Sequence, residues 1–250
     1  MNNKTKSNGY LIFVCMPGAL FLIPVPLAEN AAHKSFTPFL VDTINRIKTY
    51  IVENEKTARK FLKEAGIQTP QSELKLHDYG KHRRDQPLAP YFKELMAGED
   101  VGLMSEAGCP GVADPGADLV NEAHKRGIKV VPLVGPNAMI QALMASGLSG
   151  QSFTFHGYLP IDKPERAKRI KELEQSSARH RQTQLFMEAP FRNNQLLDDI
   201  LKYAQPQTRL CIACHLNGEE EVIKTMRIAE WKKEKADLHK KPVIFLLYRD

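Results

Sequence analysis

The fold is decided by the stretch Val101-Gly-Leu-Met-Ser-Glu-Ala-Gly-Cys-Pro-Gly-Val-Ala-Asp-Pro-Gly116. Its first four residues are apolar and predict a short buried strand. Glycines and prolines then break the strand into a loop, and residues 117–126 have the spacing of a helix that stops at Gly127. Such loops, at the carboxyl ends of strands, are where open α/β sheets bind ligands. The glycine spacing fits neither a P-loop nor a dinucleotide fingerprint, and a purely structural crossover loop is the competing interpretation.

A second strand, loop and helix of the same kind follow directly. The run Ile128-Lys-Val-Val-Pro-Leu-Val134 is rich in β-branched residues, and Gly135-Pro-Asn-Ala138 breaks it. Residues 139–146 then have helical spacing and end at Gly147. Two strands that each lead into a Gly/Pro loop and a helix predict a parallel sheet with both loops at one edge. Their backbone groups are expected to line a shared cleft.

The rest of the chain alternates between strand and helix patterns, which predicts an α/β protein with two domains. Residues 1–19 are expected to form an extension, disordered in part, before an N-terminal domain over residues 20–150. Residues 151–250 are expected to form a C-terminal domain with more adjacent, antiparallel strands. Residues 162–181 predict a strongly basic helix, and residues 230–236 predict another helix.

The composition is that of a globular protein, with 42% hydrophobic and 26% charged residues. A formal net charge of +6 suits an RNA partner, although a lysine-rich solvated surface produces the same excess. The four cysteines lack a disulfide-scaffold pattern, which favours a reducing cytoplasm. Residues 10–28 imitate a signal peptide, but prolines within this run argue against a membrane-spanning helix.

Basic residues fall into three clusters, each of which is a candidate RNA contact or simply a solvated surface. Three tyrosines are candidates for stacking on bases, with packing as the alternative. The clusters lie at residues 81–84, at residues 166–171 with Arg179 and Arg181, and at residues 232–241, and the tyrosines are Tyr79, Tyr91 and Tyr158.

Four motifs, in order, resemble those of the ribosomal RNA small-subunit ribose 2′-O-methyltransferase family, within the tetrapyrrole-methylase-like superfamily. They are Glu106-Ala-Gly-Cys-Pro-Gly-Val-Ala-Asp-Pro-Gly116, Gly135-Pro-Asn-Ala138, Phe155-His-Gly-Tyr-Leu-Pro160 and Phe186-Met-Glu-Ala-Pro-Phe-Arg192. The resemblance covers most of the chain from about Leu20 onward. It implies a two-domain fold with a mostly parallel first sheet and a mixed second sheet. It also implies S-adenosylmethionine as methyl donor, bound between the domains, and RNA of the small ribosomal subunit as acceptor.

The same resemblance implies a cytoplasmic homodimer, with neither a membrane nor a metal involved. It assigns donor contacts, mostly through backbone atoms, to Leu27, Cys109, Val112, Asn137, Ala138, Met187, Ala213 and Pro242. A ribose hydroxyl is a weak nucleophile that benefits from a general base. The candidates are the glutamates at predicted strand ends, namely Glu53, Glu106 and Glu188. For these glutamates the alternative is a structural role, such as accepting loop amide hydrogens or pairing with Arg192.

One segment departs from the family. The family's A-R-E-L-T-K-x-x-E is replaced by Ala213-Cys-His-Leu-Asn-Gly-Glu-Glu-Glu221. This change leaves two alternatives open: a tetrapyrrole or other small-molecule acceptor, or a relative that binds donor or RNA without catalysis. It also creates Cys211-Ile-Ala-Cys214-His215, the attachment pattern of c-type haem. Residues three apart in a strand point to opposite faces, which disfavours both haem and zinc there.

Overall fold

The computed structural model describes residues 16–80 and 86–250. Contacts divide them into two compact units, the first containing the described residues up to Val25 together with Phe36–Gly135. The second unit comprises Pro26–Ser35 and Pro136–Asp250. The predicted disordered extension and the basic cluster at residues 81–84 lie wholly or mostly outside the described residues. The domain division at residue 150 stays a prediction.

The first unit is built on a parallel five-stranded sheet with the order β3-β2-β4-β1-β5. Its strands are β1 (Leu20–Leu22), β2 (Thr49–Val52), β3 (Lys75–Asp78), β4 (Val101–Met104) and β5 (Val130–Pro132). Its α-helices are α1 (Pro38–Arg46), α2 (Glu55–Glu64), α3 (Lys93–Met96), which follows a 3-10 turn at Ala89–Phe92, and α4 (Ala117–Lys125). Strands β1, β2 and β4 are apolar on both faces because both faces carry a buried cluster. The predicted parallel sheet is confirmed.

The second unit is built on a mixed sheet with the order β6-β7-β10-β8-β9, in which only β6 and β7 pair in parallel. Its strands are β6 (Phe153–Tyr158), β7 (Thr183–Met187), β8 (Arg209–Cys214), β9 (Val222–Arg227) and β10 (Val243–Tyr248). Its α-helices are α5 (Ala138–Ser146), α6 (Lys163–His180), α7 (Asn193–Tyr203) and α8 (Ile228–Trp231). The predicted mixed sheet is also confirmed.

Helices cover both faces of the second sheet. Helix α5 packs on strands β8, β9 and β10 on one face, where Cys211 and Ala213 belong to the buried cluster. Helix α6 packs on β7 and β10 on the other face, and it also contacts α7. There Ile212 and Cys214 belong to a second cluster. Successive residues of β8 therefore alternate between the two clusters, as the two-residue period of a strand requires.

The helix predicted for residues 230–236 is wrong. Helix α8 begins directly after β9 and ends at Trp231, whose indole Nε1 donates a hydrogen bond to the carbonyl of Leu210 at 2.9 Å. Ile228 and Trp231 are buried, whereas residues 232–235 are exposed, so no apolar face remains to extend the helix. In the described part of the chain, no helix has the length and apolar character needed to cross a membrane.

Candidate functional site

Three loops converge at the carboxyl edge of the first sheet. Val25, after β1, exchanges two backbone hydrogen bonds with Gly108, after β4, at N···O distances of 2.9 and 2.8 Å. Gly135, after β5, lies so close to the loop from β1 that an added Cβ would be 2.1 Å from Cγ of Pro24. A glycine is therefore required at residue 135 for this approach. The two Gly/Pro loops meet at one edge, as the sequence predicted.

The loop after β4 contains the proposed donor contacts Cys109 and Val112. Gly116 has a φ of +124°, a conformation that L side chains rarely adopt. The amide of Val112 donates to the carbonyl of Cys109 at 3.2 Å, which closes a tight turn. The Cys109 side chain is half-buried, and Val112 is 44% exposed. Both side chains are thus positioned on a fixed backbone and accessible from one side.

A buried tyrosine holds the start of α4 beside this loop. The hydroxyl of Tyr79, which follows β3, donates a short hydrogen bond to the carboxylate of Asp118 in the first turn of α4. The Tyr79 ring also packs edge-on against Tyr91 at a centroid distance of 5.2 Å. Tyr79 is therefore a positioning residue and is not available for stacking on a base. The sequence offered no signal for this pair, because the two residues lie on elements far apart in the chain.

Four of the proposed donor contacts lie together in the second unit. Leu27, Ala138, Met187 and Ala213 all belong to or pack against the apolar cluster under α5. Met187 and Ala213 are both paired with Ile244, one from each neighbouring strand of β10. The structure thus brings these residues together around one apolar cluster, on one face of the second sheet.

The two remaining candidates of this unit, Asn137 and Pro242, act through hydrogen bonds. The side-chain Oδ1 of Asn137 accepts from the amides of Met139 and Ile140, each at 3.1 Å, and so caps α5. The carbonyl of Pro242 accepts from the amide of His215 at 3.0 Å. The Oδ1 of Asn137 is therefore committed to the helix, which leaves its side-chain amide nitrogen and its backbone to contact a ligand.

Two of the three candidate glutamates lie at the same edge of the first sheet. Glu53 follows β2 and Glu106 follows β4, and these strands are direct neighbours. Glu53 is half-buried, and its amide donates to the carbonyl of Met104 at 3.3 Å. Glu106 is exposed, and no hydrogen bond or ion pair holds its carboxylate among the described residues. Glu106 is therefore the more exposed of the two carboxylates at this edge.

Glu188, in the second unit, has the structural role that the sequence left as the alternative. Its Oε1 lies 2.6 Å from Nη2 of Arg192 and 2.7 Å from the amide of Ala189. Its side chain is only 1% exposed. A buried carboxylate needs such hydrogen-bond partners to offset the cost of its burial. The pair holds the turn after β7, next to the proposed donor contact Met187.

The segment that departs from the family forms a well-held turn between β8 and β9. His215 and Asn217 have φ angles of +50° and +65°, a region in which histidine and asparagine are enriched. Lys34 Nζ donates to the carbonyl of Asn217 at 2.8 Å, and the amide of Asn217 donates to Glu221 Oε2 at 2.6 Å. The residues that stand at 213–221 in this chain thus form their own hydrogen bonds and keep the turn ordered.

The cysteine pair in this region is not a haem or metal site. Cys211 belongs to the cluster under α5 and Cys214 to the cluster under α6, so their thiols lie on opposite faces of β8. Burial raises the pKa of both thiols, which disfavours the thiolate that a metal requires. Within residues 16–80 and 86–250, no group of three or more His, Cys, Asp or Glu side chains is arranged to hold a metal ion.

Comparison with known proteins identifies the family. The sequence matches the family described as Tetrapyrrole (Corrin/Porphyrin) Methylases over residues 34–232. The ribosomal RNA small subunit methyltransferase I of Vibrio cholerae serotype O1 is 32% identical over 254 residues, covering 100% of this chain and 82% of that relative. The chain belongs to the tetrapyrrole methylase family, in the group of ribosomal RNA small subunit methyltransferase I.

Further relatives agree with this placement of the methyltransferase. Proteins of the same name from Synechocystis sp. and Pseudomonas aeruginosa are 32% and 30% identical, and the alignments cover 82% and 85% of this chain and 69% and 71% of those relatives. The crystal structure of the methyltransferase CobJ has a TM-score of 0.57 at 16% identity, covering 93% of this chain and 94% of that chain. The CobJ likeness shows the fold alone, and it confirms the predicted two-sheet α/β class.

Proposed function

We propose that this methyltransferase uses S-adenosylmethionine to methylate a ribose 2′-hydroxyl in RNA of the small ribosomal subunit. The single observation that carries the proposal is the meeting of the Gly/Pro loops after β4 and β5 at one sheet edge, on either side of the loop from β1. In a chain whose relatives are named for small-subunit ribosomal RNA methylation, such a loop cluster is the expected donor-binding element. Because ribosomes are its proposed target, we place the protein in the cytoplasm.

The residues present suit this donor. Leu27, Ala138 and Met187 are partly buried apolar side chains around one cluster, and such surfaces bind the apolar parts of a nucleoside ligand. The turn at Cys109 and Val112 adds backbone amide and carbonyl groups, in a loop whose glycines permit its positive φ angles. We therefore assign the donor to Leu27, Cys109, Val112, Asn137, Ala138, Met187, Ala213 and Pro242. When bound, the donor supplies a methyl group activated on a sulfonium, and the protein has mainly to orient the acceptor.

Removal of the acceptor's proton is assigned to a glutamate of the first unit. Glu106 is exposed at the edge where the loops converge, and Glu53 is its neighbour on the adjacent strand. Either carboxylate would accept the hydroxyl proton as the oxygen attacks, a contribution of about 10²- to 10⁴-fold in rate. Glu188 is assigned a supporting role, because Arg192 and the Ala189 amide occupy it.

The decisive experiment offers the purified protein radiolabelled S-adenosylmethionine with small ribosomal subunits from a strain that lacks its gene. Label in ribosomal RNA, mapped to a ribose oxygen, is the expected result. Label in a tetrapyrrole and none in RNA would favour the small-molecule alternative. Donor binding by calorimetry without transfer to either acceptor would favour a non-catalytic relative. The replaced segment at residues 213–221 is the observation that keeps both alternatives worth testing.

We also propose that the protein is a homodimer, as the resemblance to the superfamily implies. Sedimentation equilibrium at micromolar concentration measures this directly, since the chain has a mass of 28.2 kDa. A mass of one chain at all concentrations tested would contradict it.

A further inference from the structure

The basic helix predicted from the sequence is α6, and its outward face carries a row of three exposed cations, with Glu172 and Gln175 exposed between the second and the third. Lys168, Lys171 and Arg179 are exposed, and their spacing of three and eight residues places them on one side of the helix. At 1.5 Å per residue the row is about 16 Å long. The sequence alone left open whether the basic clusters share a face. Within this cluster Lys168, Lys171 and Arg179 do, whereas Arg166 is buried against Asp199 and is not a candidate RNA contact.

The row continues onto α7 through an aromatic ring. The Nζ of Lys171 lies 5.9 Å from the centroid of the Tyr203 ring, and the Nζ of Lys202 lies 5.3 Å from the same centroid. Tyr203 is half-buried, with its ring against the cluster under α6. The Tyr203 ring therefore holds the two ammonium groups side by side for phosphate contacts and is not itself available for stacking on a base. We call Lys168, Lys171, Arg179, Lys202 and Tyr203 the α6 surface.

Few carboxylates oppose these cations. Glu172 pairs with Lys168 at 4.0 Å and with Arg169 at 3.3 Å, and both Lys168 and Glu172 are solvent-exposed. The other nearby exposed carboxylates are Asp162 and Glu165, at the start of α6, and Asp198 on α7. Glu174 is buried, where it accepts hydrogen bonds from Thr208 and Gln205. From Leu173 to the end of α6, Arg179 is the one exposed residue among Asp, Glu, Lys and Arg, so no exposed carboxylate of this stretch opposes it.

The α6 surface is remote from the proposed donor contacts of the same unit. Helices α6 and α7 cover one face of the second sheet, whereas Leu27, Ala138, Met187 and Ala213 pack on the opposite face, under α5. A ligand bound to the α6 surface therefore does not occupy the donor region. Contacts made there affect how tightly a large substrate is held and leave the chemistry at the methyl group unchanged.

We propose that the α6 surface is a docking site for the phosphate backbone of RNA, at a part of the substrate away from the methylated nucleotide. This proposal rests on the proposed function, since it takes RNA as the substrate class. Lysine and arginine rows of this length bind RNA through phosphates and counterion release, which makes the affinity strongly dependent on salt.

The test compares two triple variants of equal charge change. K168Q/K171Q/R179Q removes the row, and K48Q/K75Q/K129Q removes three exposed cations at the starts of β2, β3 and β5, in the first unit and outside all three basic clusters. Binding of each protein to small ribosomal subunits and to a single-stranded RNA is measured from about 50 to about 200 mM salt. We expect K168Q/K171Q/R179Q to bind RNA about 10- to 100-fold more weakly than the control, with a salt slope shallower by about 2 to 3.

Two further readouts separate docking from catalysis. The KM for the RNA substrate should rise with kcat unchanged, and S-adenosylmethionine should bind K168Q/K171Q/R179Q as it binds the unmodified protein. Equal RNA binding by the two triple variants would overturn the docking site, because the α6 face would then be an ordinary solvated surface. Binding of the α6 surface to phosphatidylserine vesicles but not to RNA would overturn it as well.

The same measurements distinguish failure of the docking site from failure of the proposed RNA methylation. If the unmodified protein transfers methyl to RNA and K168Q/K171Q/R179Q does so with the same KM, only the docking site fails. If the unmodified protein neither binds RNA nor transfers methyl to it, the proposed function fails and the docking site falls with it.

Discussion

Cys109 is the residue at which the donor assignment is most directly tested. Burial raises the pKa of Cys211 and Cys214, whereas Cys109 is half-buried in the loop after β4. In a Cys15→Ser variant, iodoacetamide should therefore modify Cys109 well before the two strand cysteines. Adding S-adenosylhomocysteine should slow modification of Cys109, which peptide mass spectrometry measures.

A control in urea should bring the three cysteines to similar rates, because unfolding removes the protection. If calorimetry shows that S-adenosylhomocysteine binds while the modification rate of Cys109 stays the same, Cys109 is not a donor contact. Such a result would leave the other assigned residues to be tested separately.

A buried ion pair between Arg166 and Asp199 links α6 to α7 in the second unit. Arg166 is 1% exposed, and its Nε donates to Asp199 at 2.8 Å. Its Nη1 donates to the carbonyl of Ile161 at 2.7 Å and so holds the turn after β6. Arg166→Met leaves Asp199 buried without its main partner, and we expect the free energy of unfolding in urea to fall by about 3–5 kcal/mol.

Lys168→Met is the matched control for this prediction. It lies on the same helix with a side chain that is 80% exposed, so its effect should stay within about 0.5 kcal/mol. If Arg166→Met cost no more than Lys168→Met, the hydrogen-bonded pair would contribute nothing net to the fold.

At the scale of elements, a single cap links helix stability to the site. Asn137 caps α5 through its side chain, and the adjoining backbone carries the proposed donor contact at Ala138. Asn137→Ala should lower the free energy of unfolding by about 1 kcal/mol, because two amides at the start of the helix lose their acceptor. Asn137→Ser, which retains a capping oxygen, should restore most of it, as measured by urea unfolding.

Donor affinity separates the cap from a direct contact. If Asn137 contacts S-adenosylmethionine only through its backbone, Asn137→Ser should bind the donor as the unmodified protein does. A large loss of affinity in Asn137→Ser, at unchanged stability, would show that the side chain itself meets the donor.

The elements that could be predicted are those marked by local chemistry. Glycine and proline end β4 and β5, and β-branched and apolar runs give most strands to within one or two residues. The two-residue period also placed Cys211 and Cys214 on opposite faces before any coordinates. The helix expected at residues 230–236 failed because charge and propensity suggested a helix where no apolar face exists to pack.

The contacts that could not be predicted join residues far apart in the chain. Val25 with Gly108, Tyr79 with Asp118 and Arg166 with Asp199 depend on strand order and helix packing, which local sequence does not encode. Glu188 illustrates the consequence for function. Its motif suggested catalysis and pairing equally, and only its burial beside Arg192 assigned it a supporting role.

At the scale of the whole molecule, the segment Pro26–Ser35 groups with the second unit although its sequence neighbours belong to the first. Leu27 packs on the cluster under α5, and Lys34 bonds the β8–β9 turn. Along the chain, Val25, which bonds Gly108 in the first unit, is followed directly by residues of the second unit. Cleavage near Ala28, as a signal peptide would require, would remove β1 from inside the first sheet.

His156 should contribute a pH-dependent part of the molecule's stability. His156 Nδ1 lies 3.0 Å from Arg169 Nη2, and its Nε2 lies 2.6 Å from Gln184 Oε1. A guanidinium only donates hydrogen bonds, so Nδ1 accepts, Nε2 carries the hydrogen and the ring is neutral. Burial lowers the pKa of His156 below its usual 6.5, the charge of Arg169 lowers it further, and the bond to Gln184 opposes both.

Because its pKa is lower in the folded state, His156 binds a proton more readily in the unfolded chain. The free energy of unfolding should therefore fall as pH drops below about 6.5 towards the folded-state pKa, and this part of the loss should be absent in His156→Gln. Urea unfolding of both proteins between about pH 7.5 and about pH 5.5 measures the difference, and the other histidines cancel in the comparison. If the free energies of unfolding of the two proteins change with pH in parallel, burial and Arg169 do not shift the protonation equilibrium of His156. The neutral ring would then not contribute to holding α6 against β6 and β7.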